Sequence, residues 1–398
     1  MMEGQYMRRV YLDNVSTTRL LPEVQQIVKS YLEDKYGNPS CIHEWGDSAK
    51  EGIDKARIQV AQLIGGKTEE IIFTGSGSES NNFAIKGLAL AQQKKGKHIV
   101  ISAIEHFSVL HSARTLEKWG FELSLIPVNE DGLIDPEDVR KRIKKDTILV
   151  SVMHGNNEIG TIEPIKQISE ITKECEVIFH TDAIATAGTI PVNVQELGID
   201  ALSLAGNLFY GPKGVGALWL REGVRITPLI EGGVQEGGRR AGTENVPAIV
   251  GLGMAAELAN KNMTDRIKHL VPLRNRLLFE LPSTIDHVIA TGHMEHRLPG
   301  NASFCIEFIE GEAMLMLLNN SGVAVTSGSA CTSRALKASH VLIAMGIPHA
   351  IAQGSLLFGF GINNTDEDVD YILEVLPPIV DKLRQMSPLY SKFLKGSK

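Results

Sequence analysis

Cysteine is scarce in this 398-residue chain: four residues, Cys41, Cys175, Cys305 and Cys331, with no CxxC pair among them. A disulfide framework is therefore not expected, and a reducing cytoplasmic setting fits best. Long apolar runs are also missing, so no membrane span is expected. The opening stretch MMEGQYMRRVYLDN has no apolar h-region, and a secretion signal is not expected either. The chain lacks an excess of positive charge. A net charge of -7 without a long basic run argues against nucleic acid as the main partner. Two glycine-rich stretches lack the residues that would make them nucleotide loops. FTGSGSESNN has Ser80 at the third glycine position of a dinucleotide fingerprint, and AQLIGGKT has Ala61 where a Walker A loop needs its first glycine.

What the chain does have is hydrophobic content, 43%, enough for two cores at this length. Short apolar runs alternate with helical patterns through the first two thirds. Candidate strands are EIIFTG, HIVISA, ELSLIPV, TILVSVM, VIFHTDA, ALSLAG and GALWL; SESNNFAIKGLALAQQ and FSVLHSARTLEKWG between them carry helical periodicity. This spacing predicts an α/β fold with a mostly parallel sheet covered on both faces. After GGVQEGGRRAGTENVPAIVGLG the composition shifts, and a long helix leads into ASFCIEFI, GVAVTSGSACTS and EDVDYILEVLPPIVDKLRQM. We expect a large α/β domain over residues 16–260 and a smaller α+β domain from residues 1–15 and 261–398, which carries the Cys331 loop. The tail SPLYSKFLKGSK is polar and expected to be mobile.

Several polar residues fall where strands should end, the edge at which α/β sheets collect ligands. Gly77 and Ser78 open a helix after a strand, and their amides suit a phosphate or simply an ordinary turn. Asp182 could hold a protonated ring nitrogen or cap the next helix. Asn156, Asn157 and Glu158 form a polar cluster that lines a pocket or closes a turn. His106 alone suits a hydrogen-bonded structural role, and with His111 five residues on it makes no helical zinc pair. Cys331 lies in SGSACTS, a small, hydroxyl-rich loop in which a thiolate would be accessible and reactive. Cys175 and Cys305 read instead as buried small hydrophobes.

Taken together, YLDNVSTT, YGNPSCIHEWG, GSESNNFAIKG, EHFSVL, HGNNEIGT, HTDA, GPKGVGALW, RRAGTENVPAIVGLG, SGSACTS and DEDVDYILEVLP resemble, in order and nearly end to end, the NifS/IscS-type cysteine desulfurases. The resemblance implies the class V aminotransferase fold, that of pyridoxal-phosphate (PLP)-dependent transferases of fold type I. It implies a homodimer, PLP held by a Schiff-base lysine, and a loop cysteine that takes sulfur as a persulfide and passes it to an IscU-type scaffold. Carried over by position, His106 would stack on the cofactor ring and Asp182 would pair with its nitrogen. Asn157 would face the 3-oxygen, Ser78 would hold the phosphate, and Thr243 would reach in from the other subunit. Cys331 matches the persulfide cysteine.

Five positions depart from that pattern. Ala185 replaces a glutamine, Ala205 the phosphate-binding serine and Asn207 a histidine. Leu208 stands at the Schiff-base lysine, and Leu357 at the arginine that clamps the substrate carboxylate. Leucine offers no base, and general acid–base catalysis is worth roughly 10²–10⁴-fold. The expectation is a desulfurase homologue in iron–sulfur cluster assembly that no longer desulfurates. PLP would be non-covalent or absent, and Cys331 would serve as sulfur acceptor or cluster ligand on an IscU-type partner. The alternatives are an active PLP desulfurase with an unusual base, and a structural or regulatory partner in which Cys331 is incidental.

Overall fold

A chain whose apolar runs are rich in Val, Ile and Leu on both faces must bury both faces of its sheet. The computed structural model describes residues 8–328 and 338–396 and shows how this is done. The strands are β1 (Val10–Tyr11), β2 (Ile71–Thr74), β3 (His98–Ser102), β4 (Glu122–Ile126), β5 (Thr147–Ser151), β6 (Ile178–Asp182), β7 (Ala201–Ala205), β8 (Gly216–Leu220), β9 (Val288–Ala290), β10 (Asn301–Ile306), β11 (Val323–Ala324) and β12 (Ser355–Gly359). All seven runs read as strands in the first two thirds of the sequence form one sheet, ordered β2-β8-β7-β6-β5-β3-β4. Only β8 runs antiparallel to its neighbours, β2 and β7. Every residue of β2, β3, β5, β7 and β8 is buried, as a doubly covered sheet requires. The edge strand β4 is partly exposed and carries Glu122 and Ser124, which blunt an otherwise open edge.

The smaller sheet is antiparallel, in the order β12-β10-β9, with β1 and β11 paired parallel beside it. Its core is separate and includes Phe304, Phe358, Leu277 and Ile372. One helix, Val246–Thr284, serves both cores. Met263 belongs to the first core and Leu270 to the second. Its N-terminal half lies against the helix Glu44–Ile64 so closely that a Cβ on Gly253 would sit 2.5 Å from the Cα of Ala56. Glycine here is a packing requirement.

The tail departs from expectation. Pro388–Gly396 is a helix, and Tyr390 and Phe393, one turn apart, pack their rings at a tilt against Phe308. Aromatic residues at helical spacing supply the contact that a count of polar residues overlooks. Among the described residues, no helix is long and apolar enough to cross a membrane.

The tight approach at Gly253 gives a stability test. Gly253→Ala is expected to destabilise the protein by about 1–3 kcal/mol, because the obstructing atom is backbone and must be displaced. Lys261→Ala, on the exposed face of the same helix, should change stability by no more than about 0.5 kcal/mol. Urea unfolding of the two variants checks the difference.

Candidate functional site

Parallel strands send their carboxyl ends to one edge, and the loops that follow them part there into a crevice. In this protein the crevice is a cavity of about 520 Å³. Its wall takes Ser76, Gly77 and Ser78 from after β2, His106 from after β3, and Met153, Gly155 and Asn157 from after β5. Asp182 ends β6, Ala205, Asn207 and Leu208 follow from β7, and Ala185 and Lys213 also line the wall. The fold thus brings Ser78, His106, Asn157, Asp182, Ala185, Ala205, Asn207 and Leu208 together. Thr243 is exposed and lines a different recess, with Arg240 and Glu236. Leu357 is buried in β12, opposite Ser303 of β10. Cys331 lies outside the described residues.

Asp182 is the buried charge at the centre of this edge. Its Oδ2 accepts a 2.6 Å hydrogen bond from Asn81 Nδ2, and its Oδ1 accepts from the Ile184 amide at 2.9 Å. Asn81 Nδ2 also donates to Ser108 Oγ at 2.8 Å, and Ser108 Oγ lies 2.7 Å from His106 Nδ1. A single polar chain therefore ties Asp182 to His106. His106 itself caps the helix Phe107–Lys118 by accepting from the Ser108 amide. Its capping role and its place in the cavity wall coexist. Neither Asn81 nor Ser108 stood out in the sequence. The available signal was that Asn81 falls one helical turn beyond the Gly77–Ser78 start, on the side facing the strand end.

At the start of the helix Gly77–Asn82, Ser76 Oγ accepts from the Glu79 amide. The first amides of a helix have no partner within it, and here those are Gly77 and Ser78. A Cβ on Gly77 would lie 2.4 Å from Ile184 Cδ1, so a side chain there would close the cleft. Two features of the wall suit a phosphorylated pyridine. One is a cradle of free amides at a glycine. The other is a buried carboxylate whose pKa is raised by burial, despite lowering by His106, the Ile184 amide and Asn81. A protonated ring nitrogen would supply the cation such a carboxylate lacks. PLP fits the residues present.

Leu208 is half-buried in a short turn after β7, and Asn207 is anchored beside it. The Asn207 carbonyl accepts from the Thr18 amide at 2.8 Å and from Thr18 Oγ1 at 2.9 Å. The Leu208 side chain contributes an apolar face to the cavity, and Lys213 is the one lysine among the residues lining it.

Behind the crevice lie three more carboxyls, Glu105 and Glu163 buried and Glu158 half-buried. Glu105 accepts from Ser102 Oγ and from the Met153 amide, and burial, reinforced by Asp182, pushes it well above the carboxylate range. Burial raises Glu163 to about 8 and Glu158 to about 7; hydrogen bonds from the Ile134 amide and from Ser339 Oγ oppose the rise. Burial also lowers His154 to about 4 and raises the Cys305 thiol to about 12, which makes Cys305 a packing residue and not a nucleophile.

The comparisons with known proteins agree with this architecture. The family model "Aminotransferase class-V" matches residues 10–372. "Cysteine desulfurase IscS" of Dictyoglomus turgidum is 50% identical over 381 residues, 96% of this chain and 97% of the relative. "Cysteine desulfurase IscS 1" of Archaeoglobus fulgidus is 47% identical over 382 residues, covering 96% of this chain and 100% of the relative. Among solved structures, a "NIFS-LIKE PROTEIN" superposes with a TM-score of 0.89 at 37% identity, over 94% of this chain and 100% of its own.

Glu158 yields a pH test. Its folded-state pKa of about 7 lies above the ordinary 4.5, so between those values the folded protein keeps a proton that the unfolded chain has released. Its stabilising contribution is complete below pH 4.5 and is lost as pH rises through about 7. Urea unfolding across that window should show the wild type losing stability relative to Glu158→Gln, with a slope of at most about 1.4 kcal/mol per pH unit. Parallel curves would show that Glu158 keeps an ordinary pKa.

Proposed function

We propose, from the premise that the chain belongs to the class V aminotransferase family and to its NifS/IscS-like cysteine desulfurase branch, that it is a sulfur-handling protein of iron–sulfur cluster assembly. It binds PLP without a covalent anchor and desulfurates L-cysteine far more slowly than a lysine-bearing member would. The observation that carries this reading is Leu208 in the cavity wall, at the position where the family pattern has its cofactor lysine.

The residues that would hold PLP are Asp182 at the ring nitrogen, His106 against the ring, Asn157 at the 3-oxygen, and Ser78 with the Gly77 amide at the phosphate. When bound, PLP supplies an electron sink for charge that develops on an amino-acid substrate. The protein's own part is to orient that group and to move protons. Asp182, braced by Asn81 and Ile184, can orient it. Leu208 can neither bond to it nor accept a proton, which removes a contribution of roughly 10²–10⁴-fold. Ala205 withdraws one hydroxyl from the phosphate end, so binding would be weaker as well. In this reading Cys331 provides the thiolate that accepts sulfur or ligates a nascent cluster. The protein acts as a homodimer with an IscU-type scaffold as partner.

A second reading is an active PLP-dependent desulfurase that converts L-cysteine to alanine and an enzyme persulfide, with Lys213 serving as the amine. The names of the relatives, at about 50% identity along nearly the whole chain, speak for it, and so does the place of Lys213 in the cavity wall.

Borohydride reduction of the PLP-loaded protein, followed by peptide mass spectrometry, separates the two. The expected result is no covalent adduct in the wild type, an adduct at position 208 in Leu208→Lys, and no cysteine-dependent sulfide above background from the wild type. Sulfide release that disappears in Lys213→Ala would establish the second reading instead. Cys331→Ala should leave PLP uptake unchanged while abolishing anaerobic cluster transfer to the scaffold. Undiminished transfer by that variant would remove Cys331 from the proposal.

A further inference from the structure

A second, smaller cavity of about 70 Å³ lies directly behind the first. The two share Val15, Asn157, Ala185 and Leu208, so Leu208 and Ala185 form part of the partition between them. Most of the smaller cavity is apolar, with Leu270, Leu298 and Phe360 in its wall. Among its lining residues one carries a fixed positive charge, Arg266, on the helix Val246–Thr284.

Arg266 has no counter-charge among the described residues. Among the described residues its guanidinium makes neither a hydrogen bond nor an ion pair, its Nη1 is shut off from solvent, and its one partner is the face of the Tyr210 ring, 4.9 Å away. A guanidinium cannot be deprotonated in a protein, so leaving the buried Nη1 donors without an acceptor is costly. The other arginines in buried positions have partners. Arg274 donates to the carbonyls of Arg297 and Leu298, and Arg297 donates to Asn301 and Thr291. The side-chain amide of Asn157, at the junction of the two cavities, likewise has no hydrogen bond among the described residues, while the Asn14 and Asn301 amides and the Thr18 hydroxyl donate to backbone carbonyls.

We propose that this smaller cavity is a carboxylate subsite in which Arg266 binds the acid end of a small, three-carbon carboxylate or amino acid. Its body would lie along the apolar wall at Leu208, with Asn157 at the boundary with the larger cavity. The volume admits roughly five waters, the scale of a ligand with five to seven non-hydrogen atoms. An Arg–carboxylate pair is the strong, geometrically defined contact expected of such a group in an apolar surround. The loss of an arginine at position 357 then does not leave the site without a carboxylate anchor; recognition has shifted from strand β12 to the helix Val246–Thr284. The carboxylate subsite stands on this geometry alone, and only the identification of its ligand as an amino-acid substrate rests on the proposed function.

Titration calorimetry of the PLP-supplemented protein with sodium propionate tests it, with propylamine as the control of opposite charge. Saturable binding of propionate and none of propylamine is expected, weakened tenfold or more in Arg266→Gln and less in Arg266→Lys. Because Arg266 also packs on Tyr210, Leu208→Trp provides a second arm: it fills the partition, leaves Arg266 in place, and should also weaken propionate. An unchanged affinity in a folded Arg266→Gln, or no saturable binding by the wild type, overturns the proposal. PLP uptake, followed by absorbance in the same samples, keeps the two readings apart. Propionate binding without PLP uptake would refute the proposed cofactor and leave the subsite standing. PLP uptake without propionate binding would do the reverse.

Discussion

Asp182 ends β6, buried in the cavity wall with no ion-pair partner among the described residues, and the cavity is organised by that fact. A carboxylate so placed is tolerable only while its lone pairs are occupied. Asn81 and the Ile184 amide occupy two of them, and the rest face the crevice. Those two donors in turn fix the helix after β2 and the turn after β6. Ser108 extends the same chain to His106, so the walls of the crevice are held at mutual distances by one continuous set of hydrogen bonds. Glu105, beneath, accepts from Ser102 and Met153 and ties the ends of β3 and β5 into the same floor. A site of this kind is preorganised before any ligand arrives.

The second consequence concerns charge. The floor is rich in carboxyls that burial drives toward the neutral form, and the one lysine of the wall, Lys213, is exposed at its rim. The side chain between the two cavities is leucine. Apolar material at that point separates a polar, amide-lined compartment, suited to a phosphorylated ring, from an apolar one with a solitary guanidinium at its wall. In the family pattern a lysine and a glutamine would occupy positions 208 and 185 and fill that boundary with polar groups. Here Ala185 takes up little room and Leu208 offers no hydrogen bond, and Arg266 lines the compartment behind them.

The two cores explain how such a site can be both rigid and jointed. The helix Val246–Thr284 runs from one to the other, with its first half locked against Ala56 by the absence of a side chain at Gly253. The crevice belongs to the larger sheet, while Leu298, Gly300, Asn301 and Phe360 of the smaller unit close the back of the small cavity. The arrangement places Arg266 near the midpoint of the shared helix, where it faces both units.

Much of this was legible in the sequence. Local periodicity and β-branched runs located all seven strands of the large sheet, because the pattern of burial is written along each strand and needs no partner to be read. The residues at the strand ends, Ser78, His106, Asn157 and Asp182, could be named as candidates because parallel topology sends every such end to one edge. The departures at Ala185, Asn207 and Leu208 were visible too, since a missing lysine is a matter of residue identity. What tertiary structure alone decided is which groups are paired. Asn81 and Ser108 emerged as the braces of Asp182, and the tail proved to be a docked helix. Arg266 became conspicuous only when its buried Nη1 was found without an acceptor among the described residues. A sequence lists donors and acceptors but not their distances, and hydrogen bonding, desolvation and charge pairing all depend on those distances.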